Sequence, residues 1–98
     1  MVITILEAHV PPEKSAALEQ AYQTAITKLD PGIKQTFLLH SATDSTLWRI
    51  VTVWHSREAL EEVRQSGQTP RGVLMFRAAE AEPTLSIFDV AAHASEAA

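Results

Sequence analysis

Cysteine is absent from this sequence of 98 residues. That excludes disulfides, zinc–thiolate centres and iron–sulfur clusters, all of which need thiolate sulfur. Glycine is scarce, limited to Gly32, Gly67 and Gly72, so there is no glycine-rich loop to cradle a phosphate. Positive charge is also thin. Eight basic residues stand against 12 acidic ones, for a net charge of −4, and no basic run occurs. A nucleic-acid partner, which asks for a positive stripe, is not expected. Long hydrophobic runs are missing: residues 73–76 form one of the longest and fall far short of a bilayer span. The N-terminal residues MVITILE lack the basic flank and small-residue cleavage site of a signal peptide. No membrane association is expected, and a cytoplasmic location is. The four histidines, His9, His40, His55 and His93, sit on separate segments without an i,i+4 pair, so no metal site is expected.

What is present is enough apolar residue, 46% of the chain, to build one core. Residues 2–10 are aliphatic and β-branched and predict a strand, stopped by Pro11-Pro12. Residues 13–29 predict a helix, with Leu18, Tyr22, Ala25, Ile26 and Leu29 on one face and Asp30-Pro31-Gly32 as the stop. Residues 33–42 and 47–55 predict a hairpin around the polar turn Thr43-Asp44-Ser45-Thr46. Ser56 has the character of a helix N-cap, with a helix to about Ser66 and Gly67 as its C′ residue. Thr69-Pro70 predicts a second helix start, with Thr69 as cap and a helix over 71–81. Its run Val73-Leu74-Met75-Phe76 is apolar on every side, which implies burial all round. Residues 84–91 predict the last strand, and 93–98 a disordered tail.

The order β-α-β-β-α(α)-β predicts a ferredoxin-like α+β domain over residues 1–92. Two right-handed crossovers give an antiparallel sheet in the order 4-1-3-2, with the helices on one face. The third strand has two apolar sides. Leu47, Arg49, Val51 and Val53 alternate with Trp48, Ile50, Thr52 and Trp54. Its own helices can cover only one of them. The small valines suit close helix packing, which turns both tryptophans toward the bare face. A second copy of the chain, sheet against sheet, would then hide them.

This pattern resembles the antibiotic biosynthesis monooxygenase-like family of the dimeric α+β barrel group. The resemblance is carried by Ile50-Val51-Thr52-Val53-Trp54-His55-Ser56-Arg57-Glu58-Ala59-Leu60, a strand ending in Trp and then a Ser-led helix. Thr69-Pro70 and the first strand ending in Pro11-Pro12-Glu13-Lys14 extend it. It implies a homodimeric barrel with a pocket in each subunit for a small, flat, hydrophobic aromatic molecule. It also implies monooxygenase chemistry on quinol- or anthrone-like, polyketide-like substrates, using oxygen and no cofactor. Haem-degrading relatives use an Asn on the first strand, a second Trp in the helix and an axial His. Here those places hold Ile5, Val63 and about Val73, so haem degradation is not expected.

Cofactor-free oxygenation needs a base, a dry pocket and a substrate that yields an electron-rich anion. The resemblance places Ile3, Ile5, Glu7 and His9 of the first strand on the same barrel face as Trp48 and Trp54. Glu7 or His9 is then the candidate catalytic base. Ile5, Trp48, Thr52 and Trp54 are candidate substrate-binding residues, and Phe76 is a candidate lid. The plainer readings are a structural, exposed His9 and a Glu7 paired with Arg49, Arg71 or Arg77. On those readings Trp54 is a core or interface residue and residues 73–76 are packing. Two other functions remain open on the same scaffold: a non-catalytic ligand-binding or interaction module, and an isomerase or cyclase using His or Glu as proton shuttle.

Overall fold

A computed structural model describes residues 1–96. Its elements are β1 (Val2–His9), a 3-10 turn (Pro12–Lys14), α1 (Ser15–Ala25), β2 (Ile33–His40), β3 (Leu47–Trp54), α2 (Arg57–Gln65), α3 (Arg71–Ala78) and β4 (Thr84–Asp89). The four strands form one sheet in the order β2-β3-β1-β4, every pair antiparallel. This is the expected ferredoxin-like α+β arrangement.

Local chemistry sets the element ends. Pro12 enters a 3-10 turn, and Ser15 Oγ donates to its carbonyl at 2.9 Å, so α1 begins two residues later than the periodicity predicts. Helix α1 also ends earlier, at Ala25. Ser56 caps α2 as expected, its Oγ accepting from the Ala59 N–H at 3.1 Å. Thr69, in contrast, does not cap α3: Pro70 occupies the N-cap position, with no side-chain cap bond. The hairpin turn is pinned by Asp44, whose Oδ1 accepts from Thr46 N–H (3.0 Å) and Thr46 Oγ1–H (2.8 Å). Those bonds from Thr46 hold the Asp44 carboxyl below its ordinary value. Residues 91–96 have no regular structure, and 97 and 98, the end of the expected tail, lie outside the described residues.

The two sheet faces are the reverse of the expectation. Trp48, Ile50, Thr52 and Trp54 are all buried on the side the helices cover. The register aligns them with Ala8, Leu6, Thr4 and Val2 of β1. Leu6, Ala8, Val10, Leu18, Tyr22, Trp48, Ile50 and Phe76 make the main core, and Val2, Trp54 and Leu60 a second cluster. The bare face instead carries Ile3, Ile5, Glu7 and His9, paired with Val53, Val51, Arg49 and Leu47. The physical reason is size. The helices stand off from the sheet, and indole rings span that gap where valines would leave a void. The charged pair Glu7 and Arg49 belongs on the side that the chain's own helices do not seal.

The bare face is apolar for a surface. Phe37 is 44% exposed, Leu39 46% and Phe88 54%. By register they lie on the same side as Ile3, Val51 and Arg49. Residues 73–76 are not buried all round either: Phe76 is fully buried, but Leu74 is 51% exposed. One turn of helix cannot present every side to a core when only one layer lies beneath it.

Candidate functional site

Between the helices and the covered face of the sheet lies a cavity of about 340 Å³. Its floor is sheet: Thr4, Leu6, Thr36, Ile50, Thr52 and Trp54. Its walls are Tyr22 and Ala25 of α1 with Ile26 at its C-cap, Leu60 and Val63 of α2, and Arg71, Gly72, Val73 and Met75 of α3. Most of this lining is apolar, and the volume falls in the range of small-molecule sites, roughly 300–1,000 Å³.

Trp54 forms one wall in a fixed pose. Its Nε1–H donates to Thr4 Oγ1 at 3.1 Å, a bond buried between neighbouring strands. The chain passes behind the ring through Gly32, which has φ +92°. A Cβ there would come within 2.5 Å of Ala59 Cβ and 3.8 Å of the Trp54 ring, so only glycine lets β2 begin this close to α2.

The polar groups of the floor form a row. Thr52 stands opposite Thr4 on one side and Thr36 on the other. Thr36 Oγ1 lies 3.5 Å from Thr52 Oγ1, and Tyr22 Oη lies 3.5 Å from Thr36 Oγ1. Charge gathers nearer the cavity's edge and is already engaged. Arg71 donates to the backbone carbonyls of Ala25 and Lys28 and to Asp30 Oδ1 (3.4 Å). It thereby caps the C-terminus of α1, where a cation also suits the helix dipole. Arg77 grips Glu82 with two bonds, at 2.8 and 3.0 Å. That grip holds the Glu82 carboxyl below its ordinary value.

Of the residues singled out from sequence, Thr52 and Trp54 line this cavity. Phe76 is wholly buried in the core beneath α3 and does not line this cavity. Trp48 sits toward the other end of β3, stacked on His40 with ring centroids 4.0 Å apart and planes 6° from parallel. Ile5, Glu7 and His9 face away from the cavity, on the bare side of the sheet. Glu7 pairs with Arg49 at 2.5 Å, and His9 Nδ1 meets Thr46 Oγ1 at 2.7 Å in an exposed position. The expectation that Glu7 and His9 share a face with the tryptophans is therefore corrected by the strand register.

Sequence reasoning missed Tyr22, Thr36, Thr4 and Arg71 as site residues. A signal existed for the threonines. A turn centred on Asp44 is equidistant from Thr36 and Thr52, which makes them partners. Among the described residues, no group of three or more His, Asp or Glu side chains is gathered as it would be around a metal ion. No helix among the described residues is long and apolar enough to cross a membrane.

Four antiparallel strands in one sheet, with the helices on one face and an apolar cavity beneath them, define a ferredoxin-like α+β domain. The sequence matches the family model described as antibiotic biosynthesis monooxygenase over residues 1–73. The chain belongs to that family. No curated protein matches it at significant strength. Among solved structures, a Deinococcus radiodurans protein provisionally named an antibiotic biosynthesis monooxygenase superposes with a TM-score of 0.75 at 13% identity, covering 100% of both chains. Rv0793 from Mycobacterium tuberculosis gives 0.71 at 22% identity, covering 96% of this chain and 98% of that one. SnoaB from Streptomyces nogalater, described as a cofactor-independent oxygenase, gives 0.66 at 15% identity, covering 97% of each. At such identities the likeness is one of fold.

Proposed function

We propose that this chain binds a small, flat aromatic molecule of quinol or anthrone type in the cavity and oxygenates it with O2, holding no cofactor. The observation that carries the reading is the apolar cavity of about 340 Å³ walled by Trp54. An indole fixed through its N–H can pack against a flat aromatic ligand with little further ordering of its own side chain. The similarity to SnoaB supports oxygenation as the reaction class.

The carboxylates that line the cavity argue against a protein base there. Asp30 is held by Arg71 and Glu82 by Arg77. In this reading the substrate binds neutral and its own acidity supplies the anion within the cavity, the proton passing to water at the cavity's open side. The carbanion gives an electron to O2, the radical pair joins as a C–O bond, and the resulting peroxide anion takes back a proton from water to give a hydroperoxide. Loss of water leaves the ketone. One oxygen atom enters the product, and the other departs as water with the two hydrogens of the original methylene carbon. The protein holds the ring, excludes water and stabilises the ring's oxygen by hydrogen bonds.

The bare sheet face fits a second copy of the chain. An antiparallel sheet normally shows water a polar face. This one shows Phe37, Leu39, Val51 and Phe88, which is the character of a covered surface. Two such faces related by a two-fold axis form the barrel of a homodimer.

The same arginine-held carboxylates favour a second reading, a ligand-binding module that performs no chemistry. An oxygen electrode with a panel of anthrones and naphthoquinols, run beside a binding titration, separates the two. The expected result is O2 uptake that falls at least about tenfold in Trp54→Ala and is unaltered in Glu7→Gln and His9→Ala. Binding without uptake supports the module. Absence of any binding overturns both readings.

A further inference from the structure

We infer that Thr36 and Thr52 select the ligand, by recognising a neutral oxygen, phenolic or ketonic, on the edge of the ring that lies against Trp54. This rests on the ligand-binding reading above. Register creates the device. Thr4, Thr52 and Thr36 stand side by side on three adjacent strands. Tyr22 reaches the row from α1. Thr4 is occupied, since its Oγ1 accepts the Trp54 N–H.

The other hydroxyls are close but poorly bonded to each other. Both the Tyr22–Thr36 and Thr36–Thr52 separations are 3.5 Å. A normal O–H···O bond is about 2.7–2.8 Å. Hydroxyls elsewhere in the chain achieve that: Thr27 reaches Thr24 O at 2.7 Å, Thr46 reaches Asp44 at 2.8 Å and Ser15 reaches Pro12 O at 2.9 Å. Each threonine hydroxyl carries one donor and two acceptor sites. Around Thr36 and Thr52 most of that capacity is unspent, in an apolar chamber where polar groups need partners. A ligand oxygen seated over the pair would accept from one hydroxyl and, if phenolic, donate to the other.

Charge decides what kind of oxygen fits. Arg64, Arg71 and Arg77 border the cavity, but their side chains are 46%, 39% and 50% exposed and each has a partner in the chain. The floor itself offers neutral hydroxyls. A carboxylate or phosphate would surrender its hydration for partners that bring no countercharge. A phenol or ketone exchanges one set of neutral hydrogen bonds for another. A site that must hydrogen-bond its ligand also rejects the analogue lacking the oxygen, because its own hydroxyls are then left unpaired.

The test uses 1-naphthol and naphthalene, which share a shape and differ by one hydroxyl. Binding is read from Trp54 fluorescence in a Trp48→Phe background. The expected result is a clear preference for 1-naphthol beyond its partitioning from water. Thr52→Val and Thr36→Val should each weaken 1-naphthol roughly fivefold to tenfold, as one lost hydrogen bond would, and leave naphthalene unchanged. Thr52→Ser and Thr36→Ser, which keep the hydroxyl, should restore the preference; they also give the answer if a valine variant fails to fold. Binding of both probes with a ratio the valine variants do not alter, or that serine alters as much as valine, overturns the selection by threonine while leaving the cavity as a binding site. Failure of the parent protein to bind either probe overturns the binding reading and this inference together.

Discussion

Gly32 and Trp54 are joined by sterics and hydrogen bonding. The indole N–H is held by Thr4 Oγ1 at 3.1 Å, and the backbone at Gly32 passes close behind α2 with φ +92°. His55 N–H donates to Gly32 O at 2.8 Å, which ties the start of β2 to the end of β3 beside the ring. Gly32→Ala would place a methyl 2.5 Å from Ala59 Cβ and force a side chain into the left-handed region. The conformational part alone costs about 1–3 kcal/mol. A fall of that size or more is expected in urea denaturation, together with a changed Trp54 emission. An unchanged midpoint would mean that α2 is not seated against β2 as described. The Glu7–Arg49 pair, on the opposite face of the sheet, has no such consequence. It is half-exposed, and a pair of that kind contributes at most about 1 kcal/mol.

At the scale of elements, Arg71 fastens α3 to α1. Its guanidinium donates to the carbonyls of Ala25, the last residue of α1, and of Lys28 just beyond it, and reaches Asp30. Arg71→Met keeps most of the apolar stem and removes the fastening. A loss of about 1–2 kcal/mol is expected after allowing for partial exposure, with faster hydrogen exchange at the last turn of α1 than at β1 or β3. Uniform exchange changes, or none, would contradict it. The elements themselves were largely legible. The β-branched run of β1, the tryptophan-bearing β3, the Ser56 cap and the Asp44 turn each follow from local chemistry, and they fix the strand order. The faces were not legible from period alone, because both alternations of β3 are apolar. The deciding signal was charge. Arg49 shares its side with Val51 and Val53, while the tryptophan side holds nothing more polar than Thr52. A charged residue on one of two oily faces marks the side its own helices leave uncovered. Register then carries Glu7, opposite Arg49, to that same side, away from the cavity. Thr36 and Tyr22 come from separate elements, so their meeting with Thr52 depends on helix placement that no single segment encodes.

The whole molecule divides its sheet between two tasks. One face, with Trp54, Thr52 and Leu6, closes a chamber under the helices. The other, with Ile3, Val51, Phe37 and Phe88, is an oily plane, which the proposed homodimer covers. This division ties the proposed chemistry to the fold: the ligand is expected on the helix side and the second copy on the bare side. A residue-resolved NMR shift map tests it directly, recorded once on adding a naphthol and once on dilution. Ligand-induced shifts are expected to gather on Leu6, Thr36, Thr52, Val63 and Met75, and dilution-induced shifts on Ile3, Phe37, Val51 and Phe88. Ligand shifts centred on Ile5, Glu7, Val51 and Val53 instead would contradict the division and move the site to the opposite face.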